Sequence, residues 1–297
     1  MVSWPSRGTR VTVRYRRPPG SVPPLTDAVG HLIEIDPAVR VRTKSGEVVE
    51  VSPADVVALR VLTDAPVRTS EIRALEHAAA AAWPGSEHTW VDGWLLRAGF
   101  GFAANSAVPL GLSADLGAVP AIVAWYDGRG VTPRLVVPDR LLAVPAGAAI
   151  DRTEQILVRE LSDASVRESD PAVTLSARPD DAWLGSYRPG DMPVEMLTAV
   201  IDGEVAFGAH SGATARAAVT AAPDGTRWVG LSAVRPTGER AAARVCRALL
   251  AWGADRGATR GYLRVHRRGA ALADSLGFRP HHRRRYFPVP PSGWDSV

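Results

Sequence analysis

The stretch WVGLSAVRPTGERAAARVCRALLAWGADRGATRGYLRV, residues 228–265, decides the fold of the second half of this 297-residue chain. Its first part, residues 228–234, is a short apolar run that predicts a β-strand. A helix is predicted over residues 240–254, because apolar side chains recur on one face and Gly257 follows its end. Residues 262–265 predict a second strand. The stretch therefore predicts a strand, a helix and a strand in direct succession.

Both flanks of this stretch add further elements. The turn Pro223-Asp224-Gly225 joins the strand at residues 228–234 to a preceding strand as a hairpin. After residue 265, a short helix over residues 269–276 is followed by Gly277-Phe278. The flanking segments predicted as strands are residues 205–210, 215–221 and 281–287. This order of hairpin, helix, strand, helix and strand is a mixed α/β pattern.

The first sixty or so residues predict a separate small domain. Five short strands with tight turns, the clearest of them the alternating residues 9–15, indicate an SH3-like β-barrel. Residues 63–66 mark the join to the rest of the chain. We therefore expect three regions: a barrel over residues 1–64, an N-terminal part of the α/β region over residues 65–155 and a C-terminal part over residues 156–297.

The middle of the chain repeats the same kinds of element. Ser70 is a good N-cap for a helix, and residues 90–97 predict a strand, a turn and a strand. A helix over residues 116–129 leads into a strand at residues 133–138, and residues 153–161 predict another strand. This part is therefore α/β as well.

Composition places the chain among ordinary globular proteins. Apolar residues make up 46% and charged residues 22% of the sequence, which argues against long disorder. No apolar run reaches the roughly eighteen residues of a membrane span, and the N-terminus carries arginines in place of an apolar signal core. Cys246 is the single cysteine. We expect a cytoplasmic protein without a disulfide and without a membrane partner.

Positive charge is concentrated towards the C-terminus. Between Arg235 and Arg285 there are 13 arginines against Glu239, Asp255 and Asp274. Such an excess favours an anionic partner, either a nucleotide cofactor or nucleic acid. A solvated basic surface would give the same composition.

Taken together, these elements resemble the GCN5-related N-acetyltransferase (GNAT) fold. The resemblance rests on residues 231–236 before the helix, on the helix and strand of residues 247–263, and on Leu276-Gly277-Phe278. Residues 93–97 and 104–109 are similar to an actinobacterial subgroup in which a small barrel-like domain precedes the transferase region. The resemblance implies a mixed sheet with flanking helices. It also implies transfer of an acetyl group from acetyl-CoA to a primary amine by direct attack.

The resemblance places acetyl-CoA on the quoted stretch. In the family, residues at the positions of Ser232, Ala233 and Val234 diverge from the neighbouring strand and hydrogen-bond the pantetheine amides. The loop and first helical turn that follow would present backbone N–H groups to the pyrophosphate. The residues implied for this part are Gly238, Glu239, Arg240, Ala241, Ala242, Ala243 and Arg244.

The loop before the helix and one later position depart from the family pattern. The loop holds one glycine, Gly238, and Glu239 stands where a phosphate should lie. Ala273 occupies the place where the family usually carries the tyrosine that protonates the leaving thiolate. These departures keep a second hypothesis open, a non-catalytic acyl-CoA-binding or regulatory protein. The basic C-terminal region keeps a third open, a nucleic-acid-associated module.

The sequence does not fix the general base, the general acid or the acceptor. A carboxylate or an ordered water on the central strands would take the amine proton. The candidate bases are Ser232, His210 and Glu204, and the candidate acids are Tyr262 and Tyr286. Residues 180–190 predict a polar linker or lid, in which Trp183 and Tyr187 are the candidate wall of an acceptor pocket.

No metal site is expected. His281 and His282 are adjacent on a predicted strand, so they would point to opposite faces, and no second ligand pair accompanies them. Cys246 falls on the buried face of the predicted helix, which favours a packed thiol over a nucleophile. Two further hypotheses follow from the resemblance: the first half is a degenerate tandem copy of the transferase fold, and the protein forms a homodimer.

Overall fold

The computed structural model describes residues 4–5, 8–43, 45–62, 67–101, 104–145, 147–161, 170–187, 192–235, 238–265 and 269–289. The chain forms two compact units, Met1–Pro66 and Val67–Val297. The boundary expected between residues 155 and 156 lies inside a strand, and the residues on both sides of it belong to the second unit.

The first unit is a small antiparallel β domain. Its strands are β1 Arg10–Arg16, β2 Leu25–Glu34, β3 Val39–Thr43, β4 Val48–Val51 and β5 Val56–Val61. They form a five-stranded sheet in the order β4-β3-β2-β1-β5. Val11 and Val13 on β1 are fully buried, and so are Val39 and Val41 on β3. Because alternate side chains of a strand share one face, this spacing gives the domain its core.

The second unit is a single mixed sheet with helices on its faces. The helices are α1 Thr69–Ala81, α2 Val119–Asp127, α3 Asp181–Ser186, α4 Val194–Thr198, α5 Glu239–Asp255 and α6 Ala270–Ser275. The strands are β6 Glu87–Val91, β7 Trp94–Ala98, β8 Ser106–Pro109, β9 Arg134–Pro138, β10 Arg152–Glu160, β11 Thr174–Ser176, β12 Glu204–His210, β13 Ala213–Ala221, β14 Arg227–Arg235, β15 Arg260–Val265 and β16 Arg279–Pro288. The eleven strands lie in the order β11-β12-β13-β14-β15-β10-β16-β9-β8-β7-β6. The mixed α/β class predicted from the sequence is confirmed.

One predicted segment differs. Residues 180–190 were expected to form a polar linker or lid, but Asp181–Ser186 form the short helix α3. Asp180 caps this helix by accepting a hydrogen bond from the Trp183 N–H at 2.7 Å. An Asp at the N-cap outweighs the Trp, Pro and Gly signals that favoured a loop. Residues 188–190 lie outside the described residues.

Small side chains let α5 lie close to the sheet. Ala215 and Ala217 on β13 are fully buried beneath it. At Gly253 a Cβ atom would lie 2.6 Å from the Cβ of Val229, so only glycine fits there. Cys246 is fully buried in the same core, as predicted, and burial raises the pKa of its thiol to about 12. The helix that carries the site is therefore held tightly over β13 and β14.

The two halves of the sheet have the same strand order. In each, an antiparallel run of three strands (β6-β7-β8 or β12-β13-β14) is followed by a helix and by a strand parallel to the third. The strand that follows in each half, β10 or β16, pairs with the other half of the sheet. β10 pairs with β15 of the C-terminal half, and the final strand β16 pairs with β9 of the N-terminal half. β10 and β16 also pair with each other, so the two halves share one continuous sheet.

Candidate active site

The neighbouring strands β14 and β15 part near the middle of the sheet. Their parallel pairing ends at Leu231 and Leu263. Beyond that point, within the part of the chain that the structure describes, Ser232, Ala233 and Val234 have no ladder partner on β15. Backbone groups without a strand partner are available to bind a ligand. These are the three residues for which the resemblance to the GNAT fold implies divergence from the neighbouring strand.

A bulge accompanies this divergence on the other side of β14. Arg216 of β13 pairs with Ser232, whereas Thr214 pairs with Arg235, so one residue of β13 faces two of β14. Ala233, inside the bulge, has φ of 51° and lies in the left-handed region. An alanine there is strained, and such strain is found where the backbone serves a site.

Replacing Ala233 by valine is expected to destabilise the protein by about 1–2 kcal/mol, because a β-branched side chain fits a positive φ poorly. Equilibrium urea unfolding followed by far-UV circular dichroism measures the change. Ala233→Gly is the matched control and is expected to unfold at the same or a higher urea concentration, since it removes the Cβ strain. A valine variant as stable as the glycine variant would show that the bulge is unstrained.

A cleft of about 680 Å³ lies at the gap between the two strands. Its lining comes from both faces of the sheet, because successive residues of a strand point to opposite sides. On the face covered by α5 the lining is mostly apolar and includes Leu231, Glu239, Ala242, Leu263 and Leu272. On the opposite face it is polar and includes Arg152, Glu154, Tyr187, Ser232 and Arg264. The cleft therefore joins an apolar side to a charged side.

The residues implied for acetyl-CoA divide into two sets. Those that line the cleft are Ser232, Ala233, Val234, Glu239 and Ala242. Those that do not line it are Gly238, Arg240, Ala241, Ala243 and Arg244. Gly238 caps α5 with extended backbone, and Ala243 is buried in the core under the helix. Arg244 points elsewhere, because its Nε lies 2.5 Å from Oδ2 of Asp170.

Glu154 is the buried carboxylate of the charged side. It lies on the exchanged strand β10, where Arg152 Nε is 3.2 Å from its Oε1 and the Tyr286 hydroxyl donates to its Oε2 at 2.9 Å. Burial alone would raise the pKa of this carboxyl, but the charges of Arg264, Arg284 and Arg152 outweigh burial and lower the pKa. Glu154 is therefore ionised at neutral pH.

A second buried carboxylate, Glu76, supports this face from α1. It accepts a hydrogen bond from Arg284 Nε at 2.6 Å, and His282 Nε2 lies 2.5 Å from the same oxygen. Burial would raise the pKa of Glu76, but Arg284 and His282 lower it to about 2. Because Arg284 also faces Glu154 across the β10–β16 pairing, the two carboxylates hold one arginine between them.

The two adjacent histidines lie together, which corrects the prediction that they point to opposite faces. Their Nδ1 atoms are 2.7 Å apart. The pairing of β10 with β16 shifts here, since Ile156 faces His282 and Leu157 faces Pro280, so His281 is an extra residue in the strand. Among the described residues, no group of three or more His, Cys, Asp or Glu is placed to hold a metal ion.

The candidate bases and acids lie in different places. Ser232 lines the cleft, whereas Glu204 pairs with Arg256 at 2.8 Å on the exposed surface. His210 contacts the carbonyl oxygen of Ala172 at 2.9 Å, outside the lining of the cleft. The candidate acids are both core residues: Tyr262 and Tyr286 are buried, and neither lines the cleft.

Of the two candidate residues for the acceptor pocket, one lies in the core and the other lines the cleft. Trp183 is buried in a core with Phe207 and donates its indole N–H to the carbonyl oxygen of Ala215 at 3.3 Å. Tyr187 lines the cleft, and the Arg235 guanidinium lies 5.2 Å from the centre of its ring. Burial raises the pKa of the Tyr187 phenol, so it is protonated at neutral pH.

Sequence reasoning missed Arg152, Glu154 and Arg264. The signal for the first two was charge at alternate positions of a strand, which places both side chains on one face. Nothing in the sequence indicated that this strand lies beside β15, because the pairing joins residues about a hundred positions apart.

Strands that part beside a cleft, with the N-terminus of the following helix at the same cleft, are the arrangement of the GNAT fold. A solved GCN5-related N-acetyltransferase from Kribbella flavida has this fold, with 18% sequence identity and a TM-score of 0.52 over 76% of this chain and 97% of that chain. Residues 69–287 match the family model described as "Probable histone acetyltransferase Rv0428c C-terminal", and the chain belongs to this family.

A curated relative matches along the full length. The Mycobacterium tuberculosis protein "Probable histone acetyltransferase Rv0428c" is 62% identical over 305 residues, covering 100% of both chains. Residues 5–60 match the model "Rv0428c N-terminal Sm-like domain". The small barrel predicted as SH3-like is thus called Sm-like in the family. Among the helices described, none is long and apolar enough to cross a membrane.

Proposed function

We propose that acetyl-CoA occupies the cleft with its pantetheine along Ser232–Val234 and its pyrophosphate at the start of α5. The observation that carries this placement is the end of the β14–β15 pairing at Leu231, which leaves backbone groups free to bind pantetheine amides. The first N–H groups of α5 and its dipole favour a phosphate at Gly238. When bound, acetyl-CoA supplies an activated thioester carbonyl.

The acceptor amine would lie on the face of the sheet opposite α5. There the ionised Glu154 would hold the acceptor amine by its charge. Because the pKa of Glu154 is lowered, this carboxylate is a weak base, and the proton of the amine would pass to water. The amine nitrogen would bond to the acetyl carbon as the C–S bond breaks. Tyr187 is protonated and lines the cleft, so we assign to it the donation of a proton to the leaving thiolate. It would replace the tyrosine of the family, whose position Ala273 occupies in this chain.

The acceptor is a primary amine. The name of the Mycobacterium tuberculosis relative gives a histone as its substrate. By that relation, a lysine side chain of a protein is the first acceptor to test. A homodimer and binding of nucleic acid stay predictions, tested by particle size in solution and by the salt dependence of DNA binding.

We also propose that the first half of the second unit is a degenerate copy of the transferase fold. The repeated strand order supports this. Beyond β8, however, the N–H groups of Leu110 and Gly111 both donate to the carbonyl oxygen of Gly93, at 3.1 and 2.7 Å. The Trp94 indole also donates to Asp115 at 2.8 Å. The bonds to Gly93 continue the pairing of β7 with β8, which lacks the register shift that β13 and β14 show in the second half, so one copy would carry the site.

Removing the negative charge at the start of α5 is expected to tighten acetyl-CoA binding. Glu239→Gln should lower the Kd for acetyl-CoA about threefold to fivefold, because Glu239 opposes the pyrophosphate at the helix N-terminus. Calorimetric titration of the purified protein measures the effect, and it should shrink at high salt.

The matched control is Asp255→Asn, the same change of charge at the opposite end of the same helix. It should leave the Kd unchanged, since it lies about 24 Å along the helix axis from Glu239. A wild-type protein that binds no acetyl-CoA at millimolar concentration would refute the placement. Equal effects of the two variants would move the pyrophosphate away from α5.

A further inference from the structure

The face of the sheet opposite α5, called the charged face here, carries more arginines than carboxylates among the described residues that are buried or line the cleft. Its two buried carboxylates, Glu76 and Glu154, are engaged by Arg284 and Arg152. Arg216 and Arg264 lie on the same face, and neither forms an ion pair with a described carboxylate. Burying a cation without an anion is costly unless a bound group completes the pair.

Arg216 shows that the excess charge is held in place by the fold. Its side chain is fully buried, with Nε donating to Leu197 O at 2.6 Å and Nη2 donating to Ala82 O and Ala199 O at 3.0 Å each. Among the described residues, the Nη1 atom has no hydrogen-bond partner. Burial lowers the pKa of Arg216 to about 10, which leaves it charged at neutral pH. Carbonyl dipoles solvate this cation, but no described anion neutralises it.

Arg264 adds positive charge at the cleft itself. It follows Leu263, the last residue of β15 that pairs with β14, so its side chain stands on the charged face directly at the gap. It is half-buried and makes no hydrogen bond to the described residues. Arg235 and Arg244, by contrast, are engaged by the Tyr187 ring and by Asp170.

We propose that Arg264 binds a carboxylate carried by the acceptor, next to the amine that Glu154 holds. The inference rests on the proposed placement of acetyl-CoA and deepens it. Glu154 and Arg264 line one cleft and interact electrostatically, so together they match a molecule with an ammonium and a carboxylate close to each other. A guanidinium is the side chain best suited to a carboxylate, because its planar donors bond both oxygens. The carboxylate belongs either to a free amino acid or to an acidic residue beside a lysine in a peptide.

Two pairs of amines, each matched except for the carboxylate, test the proposal and separate its sources. The first pair is L-lysine and its decarboxylated form, 1,5-diaminopentane. The second is a lysine peptide flanked by glutamates and the same peptide flanked by glutamines. Release of free CoA thiol from acetyl-CoA measures kcat/KM. We expect the carboxylate to raise kcat/KM at least about tenfold in one pair, mainly through the KM of the acceptor.

Variants of Arg264 test whether this residue causes the preference for acceptors that carry a carboxylate. Arg264→Gln should reduce the preference to within about twofold and leave the KM for acetyl-CoA unchanged, whereas Arg264→Lys should retain part of it. Arg279→Gln, an exposed arginine at the start of β16, is the control and should behave as wild type. Thermal melts confirm that the variants are folded.

Other outcomes overturn the inference and leave the proposed function intact. Equal rates within both pairs, or a preference that survives Arg264→Gln, would do so. A dependence on Arg264 that appears with succinyl-CoA but not with the acceptors would assign Arg264 to the acyl group instead. If no acceptor reacts, calorimetry with hexanoate on the CoA complex decides: binding lost in Arg264→Gln supports the site, and no binding to wild type refutes it. Failure to bind CoA at all would refute the proposed function itself.

Discussion

Replacing Glu76 by glutamine is expected to lower the free energy of unfolding by about 3–5 kcal/mol. Glu76 is 2% exposed and shares one oxygen between Arg284 Nε at 2.6 Å and His282 Nε2 at 2.5 Å. Arg284 is itself 5% exposed. A neutral amide would leave its guanidinium buried with one carboxylate fewer, and that loss outweighs the hydrogen bond that the amide oxygen retains.

The loss should depend on pH in a defined direction. The pKa of Glu76 falls from 4.5 to about 2 on folding, so the ionised carboxylate stabilises the folded state above pH 4.5. The contribution, on the order of 3 kcal/mol, is lost as pH falls towards 2. Denaturant unfolding of wild type and Glu76→Gln should therefore differ most near neutral pH and converge in acid.

The matched control is Glu87→Gln, which breaks an exposed pair with Arg129. A surface ion pair contributes at most about 1 kcal/mol, so this variant should unfold nearly as wild type does. Equal, small losses in the two variants would show that Glu76 is solvated in the native state. A large loss in Glu76→Gln that persists at pH 2 would assign the effect to packing instead of charge.

Local signals explain how much of the fold could be predicted. The helix α5 and its flanking strands follow from an amphipathic run, the Pro223-Asp224-Gly225 turn and Gly257, and all act over a few residues. The exchange of β10 and β16 could not be predicted, because Arg152 pairs with Tyr286 across more than a hundred residues and no local signal selects the partner strand. Register over such distances depends on tertiary packing.

The candidate site also combines residues that could be predicted from the sequence with residues that could not. The resemblance implied Ser232, Ala233 and Val234, and the structure places all three at the cleft. It does not bring Arg244 there, because a helical residue at that position points towards Asp170. The left-handed backbone of Ala233 could not be predicted from the sequence, since alanine is not typical of that conformation. Glu154 and Arg264 reach the cleft only through the strand exchange and the end of the β14–β15 pairing.

Glu154→Gln is expected to lower kcat for acetyl transfer about 100-fold, while the Kd for acetyl-CoA changes little. The proposed role of Glu154 is towards the amine. Its side chain faces the charged side of the cleft, whereas the apolar side lies under α5, where the acyl donor is proposed to bind. The amide keeps an oxygen for the Tyr286 hydroxyl, so the side chain stays in place. Stopped assays of thiol release and calorimetric titration of acetyl-CoA measure the two quantities separately.

Glu160→Gln provides the control on the same strand, because Glu160 is exposed and pairs with Arg260 at 3.1 Å. It should retain wild-type kcat. Because the pKa of Glu154 lies below its usual range, the carboxylate stays ionised at mildly acidic pH. Loss of kcat/KM on acidification should therefore follow protonation of the free acceptor amine, with the same midpoint in wild type and in Glu154→Gln. A Glu154→Gln enzyme with full kcat would remove Glu154 from the reaction. A raised Kd for acetyl-CoA with unchanged kcat would instead place Glu154 on the donor side, and the acceptor would then have to approach the thioester by another route.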